Sequence, residues 1–341
     1  MKRVFVNGIG AVSPVGWTVE AIRNALNNGQ VPANACVQRP GWAQPLACRR
    51  VPPPNPAPAI FANARLRRST PITTFAASAT LQAIADAKAD PKTERIGIVL
   101  CVLAGCVQFT RRFYHEAWTN PATASPLVFA ETVFNAPSSH VAAILPTASI
   151  NYTLLGDTSG YLEGIALASD WLEKDLVDSC VVIGSEEIDW PILDAFHLFS
   201  HSLVCSEGAG ALYLSNRKST EQTIELTAIT DPHFYSNKSQ KTDAIKNVRS
   251  DLASIASASS LLCDSRVDCK HFDAPEDTVW RDWSTSRLSP KTILGEGMMA
   301  GAAWQCVAAI DALRQTQTTS AVVSISGCLQ QAVGASFARS K

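Results

Sequence analysis

Runs of consecutive apolar residues alternate with helical patterns along almost the whole chain. Residues 95–103 and 179–184 are such runs, each about the length of one β-strand. A strand with one face in water shows polar residues at every second position, whereas these runs are apolar throughout. The pattern therefore predicts an α/β protein whose sheets are covered on both faces. With 341 residues, 46% of them hydrophobic, the chain can form one large core or two fused halves.

The expected elements follow one another in chain order. The predicted strands are residues 2–6, 95–103, 151–155, 179–184, 208–214, 224–229, 260–264 and 321–326. The predicted helices are residues 18–28, 73–87, 138–147, 158–172, 241–258 and 297–314. Residues 31–60 are rich in proline, so we expect an irregular excursion over the surface there.

The pattern restarts after residues 216–219, which suggests an internal duplication. One helix in each half opens with small residues, Thr158-Ser159-Gly160 in the first and Gly301-Ala302-Ala303 in the second. Small residues let a helix approach other backbone closely. We therefore expect two similar halves, residues 1–218 and 219–341, each contributing one central buried helix.

Charge and hydropathy exclude several classes of protein. The net charge is −1, and no run of Lys or Arg suggests nucleic acid or an anionic membrane as partner. The N-terminus has only a short apolar stretch, so no signal peptide is expected, and no segment reaches the roughly 18 apolar residues of a membrane span. We expect a cytoplasmic protein whose ten cysteines are reduced and packed singly in apolar runs.

The residues that most often bind metals are not arranged as a site. Cys263, Cys269 and His271 match no common zinc spacing. The six histidines stand apart from carboxylates and nucleophiles, as His140, His197 and His201 illustrate, and are expected to be structural. No metal and no cofactor is therefore predicted.

Two glycine-rich segments invite a nucleotide-binding interpretation, but neither supports it. Gly8-Ile9-Gly10 follows the first strand, yet Ser13 stands where the third glycine of a dinucleotide fingerprint belongs, so a tight turn is expected. Residues 206–211 lead into a strand and open no helix, so they are expected to be structural.

Four segments, in order, resemble the β-ketoacyl-acyl-carrier-protein synthases of the thiolase superfamily. They are residues 3–16, 94–99, 125–137 and 207–210. The resemblance implies an α/β fold of five layers, α-β-α-β-α, built from two similar halves. It also implies a dimer joined in part by a strand, here near residues 150–154.

The same resemblance shows that the family's nucleophile is missing. Such synthases carry a cysteine in an A-C-x-S-G run at the start of a buried helix, where the helix N-terminus lowers the thiol pKa. The matching run here is Gly156-Asp157-Thr158-Ser159-Gly160, so Asp157 stands in place of the thiol. A carboxylate cannot hold a growing chain as a thioester.

The other catalytic groups of the family are missing as well. Two histidines stabilise the enolate formed on decarboxylation; here Asp264 and Met298 are aligned with them. Ile293 is aligned with the family's lysine, and Cys328 with the phenylalanine of its G-F-G-G gating loop. By resemblance, acyl loading and decarboxylation are both lost, and we expect no enzymatic activity of the chain on its own.

A synthase fold without these groups is similar to the chain-length factors of type II polyketide and aryl-polyene pathways. The resemblance implies a heterodimer with a catalytic β-ketoacyl synthase subunit, an acyl carrier protein that brings the chain, and a shared acyl tunnel. Many such factors carry glutamine at the cysteine position, and the aspartate departs from this. Tunnel-lining residues are expected at Val107, Gln108, Phe109, Phe113, Val128 and Thr132, although each can equally be an ordinary core residue.

Two alternatives remain open at this point. Asp157 and Asp264 can converge in the former pocket and do acid–base work, as in a hydrolase or dehydratase. The chain can also be a purely structural or carrier-docking subunit that does not shape the tunnel.

Overall fold

A computed structural model describes residues 2–219, 222–255, 259–283, 286–328 and 330–340. Up to residue 219 the strands are β1 (Val4–Val12), β2 (Ala35–Val37), β3 (Leu46–Arg49), β4 (Ile96–Val102), β5 (Ala148–Leu155), β6 (Ser179–Glu186), β7 (Cys205–Ser206) and β8 (Gly208–Ser215). The helices of this part are α1 (Val19–Asn28), α2 (Pro71–Asp86), α3 (Val107–Thr119), α4 (Pro126–Phe129), α5 (Ala136–Ile144), α6 (Gly160–Glu173) and α7 (Trp190–Phe199).

From residue 222 onward a second set of elements follows. Its strands are β9 (Ile224–Ile229), β10 (His233–Phe234), β11 (Leu261–Cys263), β12 (Arg287–Leu288), β13 (Ser320–Ser326) and β14 (Gln331–Arg339). Its helices are α8 (Lys238–Leu252), α9 (Lys270–Val279), α10 (Pro290–Leu294) and α11 (Met298–Gln315).

The two sets form mixed sheets with the same internal order. In the first, β5-β4-β6-β8-β1 are neighbours, parallel from β5 to β6 and antiparallel from β6 to β1. In the second, β12-β11-β13-β14-β9 repeat both the order and the directions. A short antiparallel pairing of β1 with β9 joins the two sheets. The repeated order is what a duplicated unit produces.

Helices separate and cover the sheets, which gives the five layers implied by the resemblance. Helices α6 and α11 contact strands of both sheets and form the central layer. Helices α2 and α5 cover the first sheet, and α8 and α9 cover the second. The largest apolar cluster accordingly lies between the sheets and draws on both halves of the chain, and a further cluster lies under each outer layer.

Local sequence signals set several of the element boundaries. Thr18 caps α1, since its hydroxyl accepts a hydrogen bond from the Ala21 N–H at 3.2 Å, and Gly29 ends that helix in the left-handed conformation. Pro71 opens α2, where its missing N–H costs nothing.

The turn predicted at Gly8-Ile9-Gly10 is wrong, because β1 continues through it to Val12. The glycines are there because α2 packs directly on the strand. A Cβ atom built at Gly8 would lie 2.0 Å from the Ala83 carbonyl oxygen, and one at Gly10 would lie 2.0 Å from the Ala79 carbonyl oxygen.

The excursion expected at residues 31–60 is only partly irregular. Strands β2 and β3 form an antiparallel hairpin, and β3 pairs with β7 in a small three-stranded sheet. The predicted helix 241–258 begins earlier and ends at Leu252, and residues 256–258 of that prediction lie outside the described residues. No helix within the described part of the chain is long and apolar enough to cross a membrane.

Candidate functional site

Asp157, which the resemblance aligns with the family's nucleophile, lies just before α6, with Thr158 and Ser159 between them. Asp157 is buried, and its carboxylate accepts hydrogen bonds from the three backbone N–H groups that follow. The Thr158 N–H donates to Oδ1 at 2.9 Å, and those of Gln330 and Gln331 donate to Oδ2 at 2.9 and 3.2 Å. The side chain thus ties the start of the central helix to the loop between β13 and β14.

That loop is also held from the side of the second sheet. The Tyr235 hydroxyl and the Lys241 ammonium, at 3.2 Å, both donate to the Gly327 carbonyl oxygen. A Cβ atom at Gly327 would lie 1.8 Å from Asp157 Oδ2, so only glycine fits beside this carboxylate. We call residues 326–331, without Leu329, the closing loop.

A buried ion pair stands beside the start of α11. Lys291 Nζ lies 2.8 Å from Glu296 Oε2, and each side chain is only 1% exposed. Burial opposes the charge of Lys291, but the pull of Glu296 outweighs it and raises the pKa of the lysine. Glu296 Oε1 also accepts the Met298 N–H at 2.7 Å and so supports Met298, whose φ is +53°.

Glu276 brings a third acidic group into the same region. The Ser326 hydroxyl donates to its Oε1 at 2.9 Å, whereas its buried Oε2 has no hydrogen-bond partner among the described residues. Burial, reinforced by the charge of Asp264, raises the pKa of Glu276 to about 7. The protonated carboxyl is therefore the stable form of this group below neutral pH.

Cys328, aligned with the gate phenylalanine, lies among these groups. Burial is the main cause of the raised pKa of its thiol, and Glu296 adds to the increase. Lys291 and Lys241 oppose it. Burial in turn lowers the pKa of Lys241. A thiol in this state is a poor nucleophile, since the thiolate is the reactive form.

Asp264 is fully buried at the end of β11 and is engaged by two arginines. Arg287 Nε donates to its Oδ2, and Arg266 Nε lies 3.3 Å from the same oxygen. The Arg266 N–H donates to Oδ1 at 3.0 Å. Asp157 and Asp264 are thus bound by different groups, and the geometry does not present them as an acid–base pair.

Met298 and Ile293, the other two positions aligned with the family's catalytic groups, are hydrophobic. Met298 is fully buried next to the half-buried Cys328, and Ile293 packs partly buried against the central core cluster. Asp157, Met298 and Cys328 therefore share one region, while Asp264 and Ile293 lie at its margins. Sequence reasoning missed five polar side chains there, because no motif marks them: Tyr235, Lys241, Glu276 and the Lys291–Glu296 pair.

The predicted tunnel residues lie on α3, on α4 and just after it. Val107 and Val128 are buried, while Gln108, Phe109, Phe113 and Thr132 are partly buried. The rings of Phe113 and Phe129 are in contact, with centroids 5.2 Å apart. The four partly buried residues are therefore neither plain core nor plain surface, whereas the two valines are core residues.

Strand β5, predicted to join two subunits, ends the sheet order and is largely exposed. Large apolar side chains on β5 itself and within residues 114–134 are also exposed to solvent. They are Tyr114, Trp118, Leu127, Phe129, Val133, Phe134, Tyr152 and Leu155. We call this set the β5 face. Exposed apolar sets of this size mark interaction surfaces.

The cysteines and histidines considered as metal ligands make other contacts in the structure. Cys263 donates its S–H to the Gln305 carbonyl, and Cys269 contacts the hydroxyls of Ser200 and Ser202. His140 is paired with Glu131 at 2.9 Å. Within the described ranges, no three His, Cys, Asp or Glu side chains are grouped to hold a metal ion.

Comparisons with known proteins identify the fold. No protein-family model matches the chain, and no curated protein matches it. Among solved structures, a type II polyketide acyl-carrier protein in complex with its ketosynthase, "AntDE:AntF", contains a chain that superposes with a TM-score of 0.80 at 16% identity, with 99% of each chain covered.

Two complexes that contain a chain length factor are similar at the same level. The ishigamide ketosynthase/chain length factor gives a TM-score of 0.79 at 15% identity, covering 99% of this chain and 100% of that one. The ketosynthase ApeO with its chain length factor ApeC from Xenorhabdus doucetiae gives 0.78 at 14% identity, covering 99% and 98%. The chain therefore has the ketosynthase fold over its whole length.

Proposed function

We propose that this protein is a non-catalytic, chain-length-factor subunit that pairs with an active β-ketoacyl synthase. In that complex it helps to form the tunnel that receives the growing chain. The chain would be delivered by an acyl carrier protein, in the elongation of a polyketide or an aryl polyene.

One observation carries this proposal. In a chain with the complete ketosynthase fold, the nucleophile position holds a carboxylate that is bonded to three backbone N–H groups. A carboxylate bonded in this way is a much weaker nucleophile than a thiolate, and it cannot hold an acyl chain as a thioester. Met298 and Asp264, aligned with the two histidines, provide no imidazole either. The fold has been retained without the chemistry that it serves in synthases.

The β5 face supports the choice of partner. An edge strand flanked by exposed aromatic and aliphatic side chains can extend its sheet across a subunit boundary. The ApeO and ishigamide neighbours are both described as a ketosynthase together with a chain length factor. A synthase of the same fold is therefore the partner that we propose for this face.

The position of α3 and α4 supports a role in the tunnel. Phe109 and Phe113 are partly buried on the same helix that carries Tyr114 and Trp118 toward solvent. A helix that contributes both to the interface and to partly enclosed aromatic side chains is suited to line a cavity closed by the partner.

Co-expression with a β-ketoacyl synthase from the same source, followed by native mass measurement, tests the pairing. We expect a stable one-to-one complex that condenses acyl units, and no condensing activity from this chain alone. A monodisperse homodimer with condensing activity of its own would overturn the proposal.

The length-setting role needs a separate measurement on that complex. Phe109→Ala and Phe113→Ala each remove a ring from the proposed tunnel, so the complex should release longer products. Unchanged product lengths from an intact complex would indicate a structural or carrier-docking subunit instead.

A remodelled enzyme is the other candidate, and Asp157→Asn separates it from the subunit role. If Asp157 does acid–base work, the substitution abolishes an activity of the isolated protein. If the chain is a partner subunit, the substitution affects the closing loop and stability alone.

A further inference from the structure

Helix α3 is attached to the rest of the chain mainly at its first turn. Of its 13 residues, only Val107 is buried. Its most numerous contacts with other elements are with α4 and with the short turn that precedes α4, and these segments lie at the surface. The position of α3 therefore depends on the residues that bind its first turns.

Three acidic residues that directly follow or end β6 supply that binding. Glu186, fully buried, accepts the backbone N–H groups of Leu103, Ala104 at 3.1 Å and Gly105 at 3.3 Å. It also accepts a backbone hydrogen bond from Met299, in the first turn of α11. One carboxylate thus joins the loop before α3 to the start of the central helix.

Glu187 and Asp189 bind the helix itself. Glu187, also fully buried, accepts the Gln108 N–H on Oε1 at 2.8 Å and the Ile72 N–H on Oε2 at 3.2 Å. Asp189 receives the side-chain N–H of Arg111, one turn further along α3. Glu186 ends β6, and Glu187 and Asp189 lie between β6 and α7, so together they hold the first two turns of α3 in place.

We infer that Glu186, Glu187 and Asp189 are positioning residues that fix α3 against the body of the protein and thereby set the chain length that the complex accepts. The effect on chain length rests on the proposed function. The positioning of α3 concerns the isolated chain and is tested without a partner.

Glu186→Gln and Glu187→Gln are the sharpest variants. In each wild-type side chain both carboxylate oxygens face N–H donors, so replacing one oxygen by NH₂ sets donor against donor while keeping size and shape. Glu20→Gln, at an exposed position of α1, is the matched control. Arg111→Gln removes the ion pair with Asp189 at an exposed position. It provides a second test if a buried variant fails to fold.

Hydrogen exchange of the full-length protein is the first measurement. Amides of residues 106–119 should exchange at least about tenfold faster in the glutamine variants, while those of β4 and β6 stay protected and Glu20→Gln matches wild type. Unchanged exchange in α3 would overturn the inference.

Product analysis of the complex with the synthase is the second measurement. The glutamine variants and Arg111→Gln should broaden or shift the distribution of product lengths while the one-to-one complex persists. Faster exchange with an unchanged product distribution would overturn the length-setting role. If the wild-type chain forms no complex, the proposed function fails, and the exchange data still decide whether the acids position α3.

Discussion

Under the proposed function, Asp157 has a structural role where the family's cysteine has a chemical one. A thiol at the start of a buried helix is activated by the helix N-terminus, whereas a carboxylate there is stabilised by it and remains unreactive. Three of the N–H groups that bind Asp157 belong to Thr158, just before α6, and to Gln330 and Gln331 of the closing loop. The residue therefore holds the closing loop against the start of α6.

This role predicts the reactivity of Cys328. Asp157→Asn directs an amide NH₂ at backbone donors, so the closing loop should open more often. A loss of about 1.4 kcal/mol in loop closure raises the open population tenfold. We expect alkylation of Cys328 by iodoacetamide to become about tenfold faster, measured by peptide mass.

Other cysteines in the same sample serve as controls. Cys36 is exposed and should react equally in both proteins, whereas buried Cys101 and Cys180 should stay unmodified if the variant is folded. Equal rates at Cys328 in wild type and variant would show that Asp157 does not hold the loop.

Glu276 predicts a pH dependence of stability. Its pKa is raised to about 7 in the folded state from an ordinary value near 4.5, so the folded protein holds a proton that the unfolded chain releases. The resulting stabilisation is complete below about pH 4.5 and is lost as the pH rises through 7. The facing groups are Asp264, Ser326, Lys241 and Arg287.

Glu276→Gln keeps the neutral form at every pH and should remove this contribution. Between pH 5 and pH 8 the free energy of unfolding should fall by about 3 kcal/mol more in wild type than in the variant, measured by urea denaturation. Parallel pH profiles for the two proteins would contradict the assignment.

Resemblance to the family's motifs predicts which positions lack the family's catalytic residues. It does not predict the contacts that the residues at those positions make instead. Alignment to a motif places Asp157 and Met298 directly, since motifs are local. The Lys291–Glu296 pair and the contacts of Tyr235 and Lys241 with Gly327 depend on side chains that meet only in the folded chain. No local pattern distinguishes a buried lysine from an exposed one.

At the scale of elements, β5 is an edge strand with exposed side chains. It pairs with β4 on one side, and its other edge ends the sheet. Central strands such as β4 and β6 are wholly buried, whereas β5 alternates between partial and full exposure. Its exposed side chains are the ones that a second subunit would cover.

Tyr152→Asp tests this edge. The side chain is 53% exposed, so a carboxylate costs little in the free protein but would be desolvated in a subunit interface. We expect at least a tenfold loss of affinity for the synthase, measured by titration calorimetry. Phe234→Asp, at a 71% exposed position on β10, is the matched control and should bind normally.

The elements predicted from sequence were those with uninterrupted patterns. Strand β9 was predicted with its exact bounds, and α11 within one residue at each end. Helices α3, α4, α7, α9 and α10 were not predicted, and α3 buries only one residue against the rest of the chain. Strand β14 was missed as well, since Ala, Gly and Ser dilute its β-forming residues.

At the scale of the whole molecule, the two sheets share one interior. Trp304 of α11 donates from Nε1 to the carbonyl oxygens of Val12 and Ala209, on the first sheet's side, at 3.1 and 3.0 Å. The neighbouring Gln305 donates to those of Asp264 and Ser324 on the second sheet's side, at 2.8 and 3.1 Å. Successive residues of one helix thus bind both halves.

This arrangement predicts that residues 1–218 and 219–341 do not fold separately. Each half alone would expose the face that packs on α6 and α11, so we expect insoluble fragments and a single unfolding transition for the intact chain. Tryptophan fluorescence and circular dichroism in urea should give coincident curves. Two resolved transitions, or a soluble folded fragment 1–218, would show that the halves are independent.

The contact between Asp157 and Gly327 makes the change of role hard to reverse. Reinstating a cysteine at position 157 would leave the buried Gln331 amide without the acceptor it now has, and two imidazoles would still be lacking. A revertant would have to regain several groups at once, each of no benefit before the others. Under the proposed function, a single substitution at position 157 would therefore not restore condensing activity.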